Sequence, residues 1–110
     1  MDLKSVIRNV PDFPKPGILF RDITPVLESS EAFRAALDQL VSAVADVEFD
    51  SIAALESRGF IFGAPMARQL GKPLGILRKP GKLPGVLESV SYDLEYGSAT
   101  LEAHTDSIDV

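Results

Sequence analysis

Hydrophobic positions along the chain change period several times, and each change predicts an element. Leu3, Val6, Ile7 and Val10 fall at helical spacing, and Pro11 closes that segment because the residue before a proline avoids the α conformation. From Pro11 to Pro25 four prolines and Gly17 exclude regular structure, yet Phe13, Ile18, Leu19 and Phe20 keep the stretch apolar, so this loop must pack on something. The strongest helical stripe runs from Glu31 to Val47 through Phe33, Ala36, Leu37, Leu40, Val41, Val44 and Val47. Ser30 is its predicted N-cap, and Glu31 suits the positive end of the helix dipole. Ser51–Leu55 is apolar without alternation, the pattern of a strand buried on both faces in a parallel sheet covered by helices.

Glu56-Ser57-Arg58-Gly59 then interrupts the pattern. Phe60–Leu70 reads as a second helix closed by Gly71, with Pro65 implying a start near Ala64 or an irregular first turn. Pro73–Arg78 is a second short apolar run, and strand, helix, strand in that order predicts a right-handed βαβ unit. A basic stretch rich in helix breakers, Lys79–Gly85, follows. Val90, Tyr92, Leu94 and Tyr96 alternate with polar residues, as do Ala99, Leu101 and Ala103 beyond Gly97, which predicts an antiparallel hairpin. Asp106–Val110 is polar and acidic and closes nothing.

The 110 residues suit one domain, 1–110, of α/β class. A net charge of −5 argues against nucleic acid or an anionic membrane as the main partner. The absence of cysteine removes disulfides, thiolate metal sites and thiol catalysis. The first residues lack the pattern of a secretory signal, and no apolar run approaches the ~20 residues of a membrane span, so a soluble cytoplasmic protein is expected.

Four stretches could carry chemistry. Glu56–Gly59 lies at the carboxyl end of a predicted strand, where open α/β sheets bind ligands. There Gly59 would let backbone approach a ligand, the following helix start would offer N–H groups, and Arg58 would match phosphate oxygens bidentately. A βα turn with a solvated arginine is the alternative that spacing alone leaves open. Arg78, Lys79 and Lys82 crowd the end of the next strand, where a basic loop could close over an anion and exclude water. A solvated connection is the ordinary explanation of one such cluster, but two at neighbouring strand ends converge. Leu19-Phe20-Arg21 could offer an aromatic face and backbone groups to a planar base, against the commoner role of a core-capping phenylalanine. Tyr92–Gly97 places Glu95 at a turn, where a carboxylate can serve acid–base chemistry, although most exposed glutamates do not. His104, the single histidine, has no acidic or cysteine partner at ligand spacing and is read as structural or solvent-facing. No metal site of the chain's own is predicted.

In order, Pro11–Pro25, Glu56-Ser57-Arg58-Gly59-Phe60-Ile61-Phe62-Gly63, Arg78-Lys79-Pro80-Gly81-Lys82-Leu83-Pro84-Gly85 and Tyr92-Asp93-Leu94-Glu95-Tyr96-Gly97 resemble the signature of adenine phosphoribosyltransferases, from about residue 3 to residue 106. The resemblance implies a partial type I phosphoribosyltransferase fold: a parallel βαβ core, an N-terminal hood and an antiparallel hairpin, with C-terminal strands missing. It implies transfer of a 5-phosphoribosyl group from phosphoribosyl pyrophosphate to N9 of adenine, giving AMP and pyrophosphate, with Mg²⁺ carried on the substrate pyrophosphate. It also implies a homodimer. By the same resemblance Phe20 stacks on adenine while backbone at Leu19 and Arg21 reads its edge. Ser57, Arg58 and Gly59, with Arg78, Lys79 and Lys82, hold pyrophosphate, Arg58 also serving catalysis. Glu95 handles a proton at the purine, and Tyr96 belongs to the lid. The residue pair before Arg58 is often joined by a non-proline cis peptide in this family.

The pattern also departs from the family. A later strand there ends in paired aspartates and a threonine-glycine-glycine-threonine turn for the ribose 5-phosphate, and this sequence has neither an Asp-Asp nor a Gly-Gly pair. A truncated chain that is inactive alone is therefore expected. A non-catalytic module, active at most by complementation, and another purine specificity such as hypoxanthine or xanthine are the alternatives; Pro11–Pro25 speaks against the latter.

Overall fold

A computed structural model describes residues 1–94 and 97–107, with the side chains of Leu94 and Gly97 left aside. The chain divides into two compact units, 1–47 and 48–110.

The first unit opens with a single 3₁₀ turn, Leu3–Ser5, begun by Asp2, whose Oδ1 accepts from the Lys4 N–H at 3.1 Å. The helix expected to reach Val10 does not form. Arg8–Pro11 is strand β1 instead, antiparallel to β2, Leu19–Asp22, with Val10 opposite Phe20. An isolated helix of two turns is marginal, whereas the ribbon supplies partners across the strands. Arg8 pairs with Asp22 at 3.4 Å, and Arg21 Nη1 donates to Asn9 Oδ1 at 2.6 Å. Pro11 ends β1, where its missing N–H is tolerated.

The expectation that prolines exclude regular structure throughout Pro11–Pro25 is likewise corrected by β2 and by α1, Thr24–Leu27. Pro25 sits in the first turn of α1, whose N–H groups have no partner within the helix. Between the strands, Asp12 and Gly17 adopt φ of 57° and 90°, and the Gly17 N–H donates to Asp12 Oδ1 at 2.9 Å. Helix α2 spans Ser30–Ala43, so the cap is Ser29, whose Oγ accepts from the Ala32 N–H at 3.1 Å. It ends before Val47, and Val44–Val47 continue as turns. Val26, Ala32 and Ala36 are buried where α1 meets α2, while Leu40 and Val47 stay exposed.

The second unit is built on β3, Ile52–Leu55, helix α3, Arg58–Leu70, and β4, Leu74–Leu77. β3 and β4 pair in parallel, Ile52 opposite Leu74 and Leu55 opposite Leu77. Burial on both faces of β3 does not hold: Ala54 is buried and Leu55 is 50% exposed. The reason is one-sided cover. A Cβ on Gly63 of α3 would lie 2.8 Å from the Ala54 Cβ and 3.3 Å from Leu74 Cδ1, so α3 presses on the Ala54 face, leaving Ala53 and Leu55 on the other. Helix α3 starts at Arg58, earlier than Pro65 suggests, and Pro65 is carried inside it. Gly71 ends it in the left-handed conformation, φ 66°, and the Lys72 N–H donates to the Ala67 carbonyl at 3.0 Å.

The predicted hairpin is present as β5, Leu87–Leu94, and β6, Gly97–His104, with Val90 opposite Leu101. Among its described residues Leu101 is the buried one. An antiparallel bridge joins Arg78, just beyond β4, to Glu102 of β6, so the hairpin extends the parallel pair at the β4 side. Among the described residues no helix is long and apolar enough to cross a membrane.

Candidate functional site

In the second unit β3 and β4 run side by side and end together, which brings Glu56-Ser57-Arg58-Gly59 beside Arg78-Lys79. The Glu56–Ser57 peptide is cis, as the resemblance implies. Ser57 is the cap residue of α3 and makes no side-chain cap bond; Arg58 opens the helix, with no acidic side chain in the first turn. The side chain that ties the two tips together is Glu56. Its Oε1 accepts from Arg78 Nε at 2.9 Å and from the Lys79 N–H at 2.9 Å. The Arg78 guanidinium also stands 5.8 Å from the centre of the Phe60 ring. Lys79 and Lys82 are exposed.

An added Cβ on Gly59 would face Ala54 at 3.8 Å, an ordinary contact, so the glycine also lies against β3.

The basic loop leaving Arg78 is held at several points. The Arg78 N–H donates to the Glu102 carbonyl at 2.8 Å and the Glu102 N–H to the Arg78 carbonyl at 2.7 Å. Glu102 Oε1 accepts from the Gly81 N–H at 3.0 Å. His104 Nε2 lies 2.8 Å from the Pro84 carbonyl, and since a carbonyl only accepts, that nitrogen carries the proton. The structural reading of His104 therefore acquires a content: it anchors the far end of the loop.

The Lys79 N–H, then the Arg78 guanidinium and the charge of Lys82, outweigh burial and hold the Glu56 carboxyl below its ordinary 4.5. A lowered folded value means that the stabilisation is complete above pH 4.5 and is lost as pH falls through the folded value. Thermal melts at about pH 7 and about pH 3 are expected to differ less in Glu56→Gln than in the parent chain. An equal acid loss in both would show that the pair does not contribute.

In the first unit Leu19, Phe20 and Arg21 follow one another along β2, which pairs only with β1 among the described residues. Leu19 is half exposed and borders an open recess of about 170 Å³ lined by Pro11, Asp12, Gly17 and Ile18. Phe20 meets Phe13 edge to face, centroids 5.1 Å apart. Glu95 and Tyr96 lie outside the described residues.

Sequence reasoning misses Glu56, Glu102 and His104 as partners of the loop. An acidic residue just before the first candidate cation is a signal for Glu56. Glu102 leaves none, since its side chain bonds a backbone N–H.

No protein-family model matches the chain. Among curated relatives, the adenine phosphoribosyltransferase of Pseudothermotoga lettingae is 53% identical over 109 residues, which are 99% of this chain and 64% of the relative. The crystal structure of the adenine phosphoribosyltransferase from Thermoanaerobacter pseudethanolicus is 51% identical, with a TM-score of 0.88 over 96% of this chain and 61% of its own. The APRTase of Giardia lamblia, solved with 9-deazaadenine, is 34% identical with a TM-score of 0.91, over 99% of this chain and 61% of its own. The chain thus spans somewhat under two thirds of the length of these relatives, and the α/β architecture, parallel pair and hairpin together, is a partial type I phosphoribosyltransferase fold. Sequence and fold agree over nearly all of its residues: the chain is similar to adenine phosphoribosyltransferases, of whose length it spans a part.

Proposed function

We propose that the protein serves in purine salvage as a glycosyltransferase, moving the 5-phosphoribosyl group of phosphoribosyl pyrophosphate to N9 of adenine and releasing pyrophosphate and AMP. The observation that carries this reading is the meeting of Arg58, Arg78 and Lys79 at two adjoining strand tips, in a chain otherwise acidic. Breaking the bond between ribose and pyrophosphate builds positive charge on the sugar and negative charge on the leaving group. Cations already held in place stabilise that separation more than they stabilise bound substrate. In this reading Arg58, with Ser57 and Gly59, receives one phosphate, and Arg78, Lys79 and Lys82 receive the other. Phe20 stacks on the base and the backbone at Leu19 and Arg21 reads its edge; the Giardia lamblia relative, solved with an adenine analogue, supports a base of this kind. Glu95 acts on the purine proton and Tyr96 covers the reacting centre.

Mg²⁺ belongs to the same proposal, entering on the pyrophosphate oxygens. The strand tips fit this: they are cationic, and Glu56 is already committed to Arg78 and Lys79. When bound, the ion neutralises part of the leaving group's charge. A homodimer, as the resemblance implies, working in the cytoplasm completes the reading.

Because the 110 residues contain neither an Asp-Asp nor a Gly-Gly pair, we propose that this chain alone binds pyrophosphate and adenine but forms no AMP. The test incubates it with adenine, phosphoribosyl pyrophosphate and Mg²⁺, follows AMP, and titrates adenine and pyrophosphate separately. Steady AMP formation would overturn the proposed inactivity. Failure to bind either compound would overturn the assignment of the sites.

A further inference from the structure

Glu56 has no place in the reaction as described, yet it is closely engaged at the strand tips. Its side chain is 7% exposed and that of Arg78 31%. One oxygen, Oε1, accepts both the Arg78 Nε–H and the Lys79 N–H. The Arg78 backbone is fixed from the other side by its two hydrogen bonds to Glu102, and its guanidinium is flanked by the Phe60 ring. Both residues that hold the Arg78 head, Glu56 and Phe60, bracket the Ser57-Arg58-Gly59 turn. A carboxylate beside an anion site opposes binding by its charge. Its presence there calls for a compensating use.

We propose that Glu56 is the positioning residue of Arg78: by engaging Nε it orders the guanidinium before substrate arrives and leaves the Nη–H groups to a phosphate group of an organic or inorganic pyrophosphate. This rests on the proposed function, since the anion is the one assigned there. An arginine head on a long side chain loses rotamer freedom when it binds, and ordering it beforehand removes that cost from the binding step. The neutralising contacts explain how the charge is tolerated. The Lys79 N–H and the Arg78 guanidinium keep the carboxyl below its ordinary range, so it stays charged and paired at neutral pH. Capping of α3 is not its role, because Ser57 occupies the cap position.

The test is pyrophosphate binding to the 110-residue chain by calorimetry, with the Arg78 Nε–Hε proton followed by NMR. In Glu56→Gln the amide oxygen can still accept both hydrogen bonds while the opposing charge is gone, so pyrophosphate is expected to bind as tightly as in the parent or more so. Glu56→Ala releases the guanidinium and is expected to weaken binding about tenfold. In an Arg78→Ala background Glu56→Ala should no longer weaken binding. The Nε–Hε proton should exchange slowly in the parent and in Glu56→Gln and rapidly in Glu56→Ala.

Tighter binding in both Glu56 variants would mean that Glu56 only repels the anion, and a full loss persisting without Arg78 would mean that it acts elsewhere; either overturns the proposal. Rapid exchange of the parent Nε–Hε proton overturns it whatever the affinities. Should Glu56→Ala fail to fold, the parent and Glu56→Gln spectra decide. A protected proton with no pyrophosphate binding in the parent would sink the anion assignment and leave the contact between Glu56 and Arg78 standing.

Discussion

Gly63→Val is expected to destabilise the second unit by about 3 kcal/mol or more, a large part of the stability of a small folded unit. At position 63 α3 comes close to the sheet. An added Cβ would lie 2.8 Å from the Ala54 Cβ, an atom fixed to the strand backbone, and 3.3 Å from Leu74 Cδ1. Ala54 is itself buried, at 4% exposure, and cannot turn away. Replacing a helical glycine with alanine ordinarily gains about 1 kcal/mol, while forcing a methyl into a packed site costs about 1–3 kcal/mol. Gly63→Ala should therefore be destabilising by about 1 kcal/mol, and the branched valine considerably more. Gly71→Ala is the control, since nothing lies within 4 Å of its added Cβ and only the φ of 66° is strained. It should cost about 1 kcal/mol. Urea unfolding followed by circular dichroism measures all three. A Gly63→Val chain as stable as the parent would refute the close approach of α3.

Arg58→Ala is expected to weaken pyrophosphate binding to the chain about a hundredfold. The side chain is exposed at the first residue of α3, a turn that holds no acidic residue. A guanidinium meeting phosphate oxygens makes two parallel charge-assisted bonds, each of about 1.5–3 kcal/mol, and tenfold in affinity corresponds to about 1.4 kcal/mol. Arg58→Lys restores charge without the fork and should remain about tenfold weaker than the parent. Arg68→Ala, an exposed cation in the last turn of α3, should change nothing. Titration calorimetry at fixed ionic strength gives the three constants. If Arg58→Lys bound as tightly as the parent, a point charge would suffice and bidentate recognition at the β3 tip would be wrong.

Much of the site is legible in the sequence because its parts are local. The turn after Leu55 and the cations after Leu77 follow one another in an order that resembles a family, and a family signature is a property of sequence. How the parts hold each other is not legible there. Arg78 and Glu56 are separated by 22 positions, and their hydrogen bond exists because two strands run parallel and in register. The misreadings have the same origin. Val6, Ile7 and Val10 have helical spacing, but the strand partner of Val10 is Phe20, and pairing with a distant segment outweighs a short local period. Leu55 sits in an apolar run that suits a strand covered twice, and only the packing of α3 decides which face is covered.

By itself the sequence determined the long amphipathic helix, the strand–helix–strand core, the hairpin and the chemical character of the strand tips. Each of these depends on side-chain periodicity, a turn residue or charge, properties that neighbouring residues set without reference to the rest of the chain. Tertiary structure alone decided that Glu56 joins the two tips, that Glu102 and His104 anchor the basic loop, and that Gly63 is the contact point of helix and sheet. Those relations are distances between residues far apart in the chain, and such distances exist only once the strands have paired and the helix has packed.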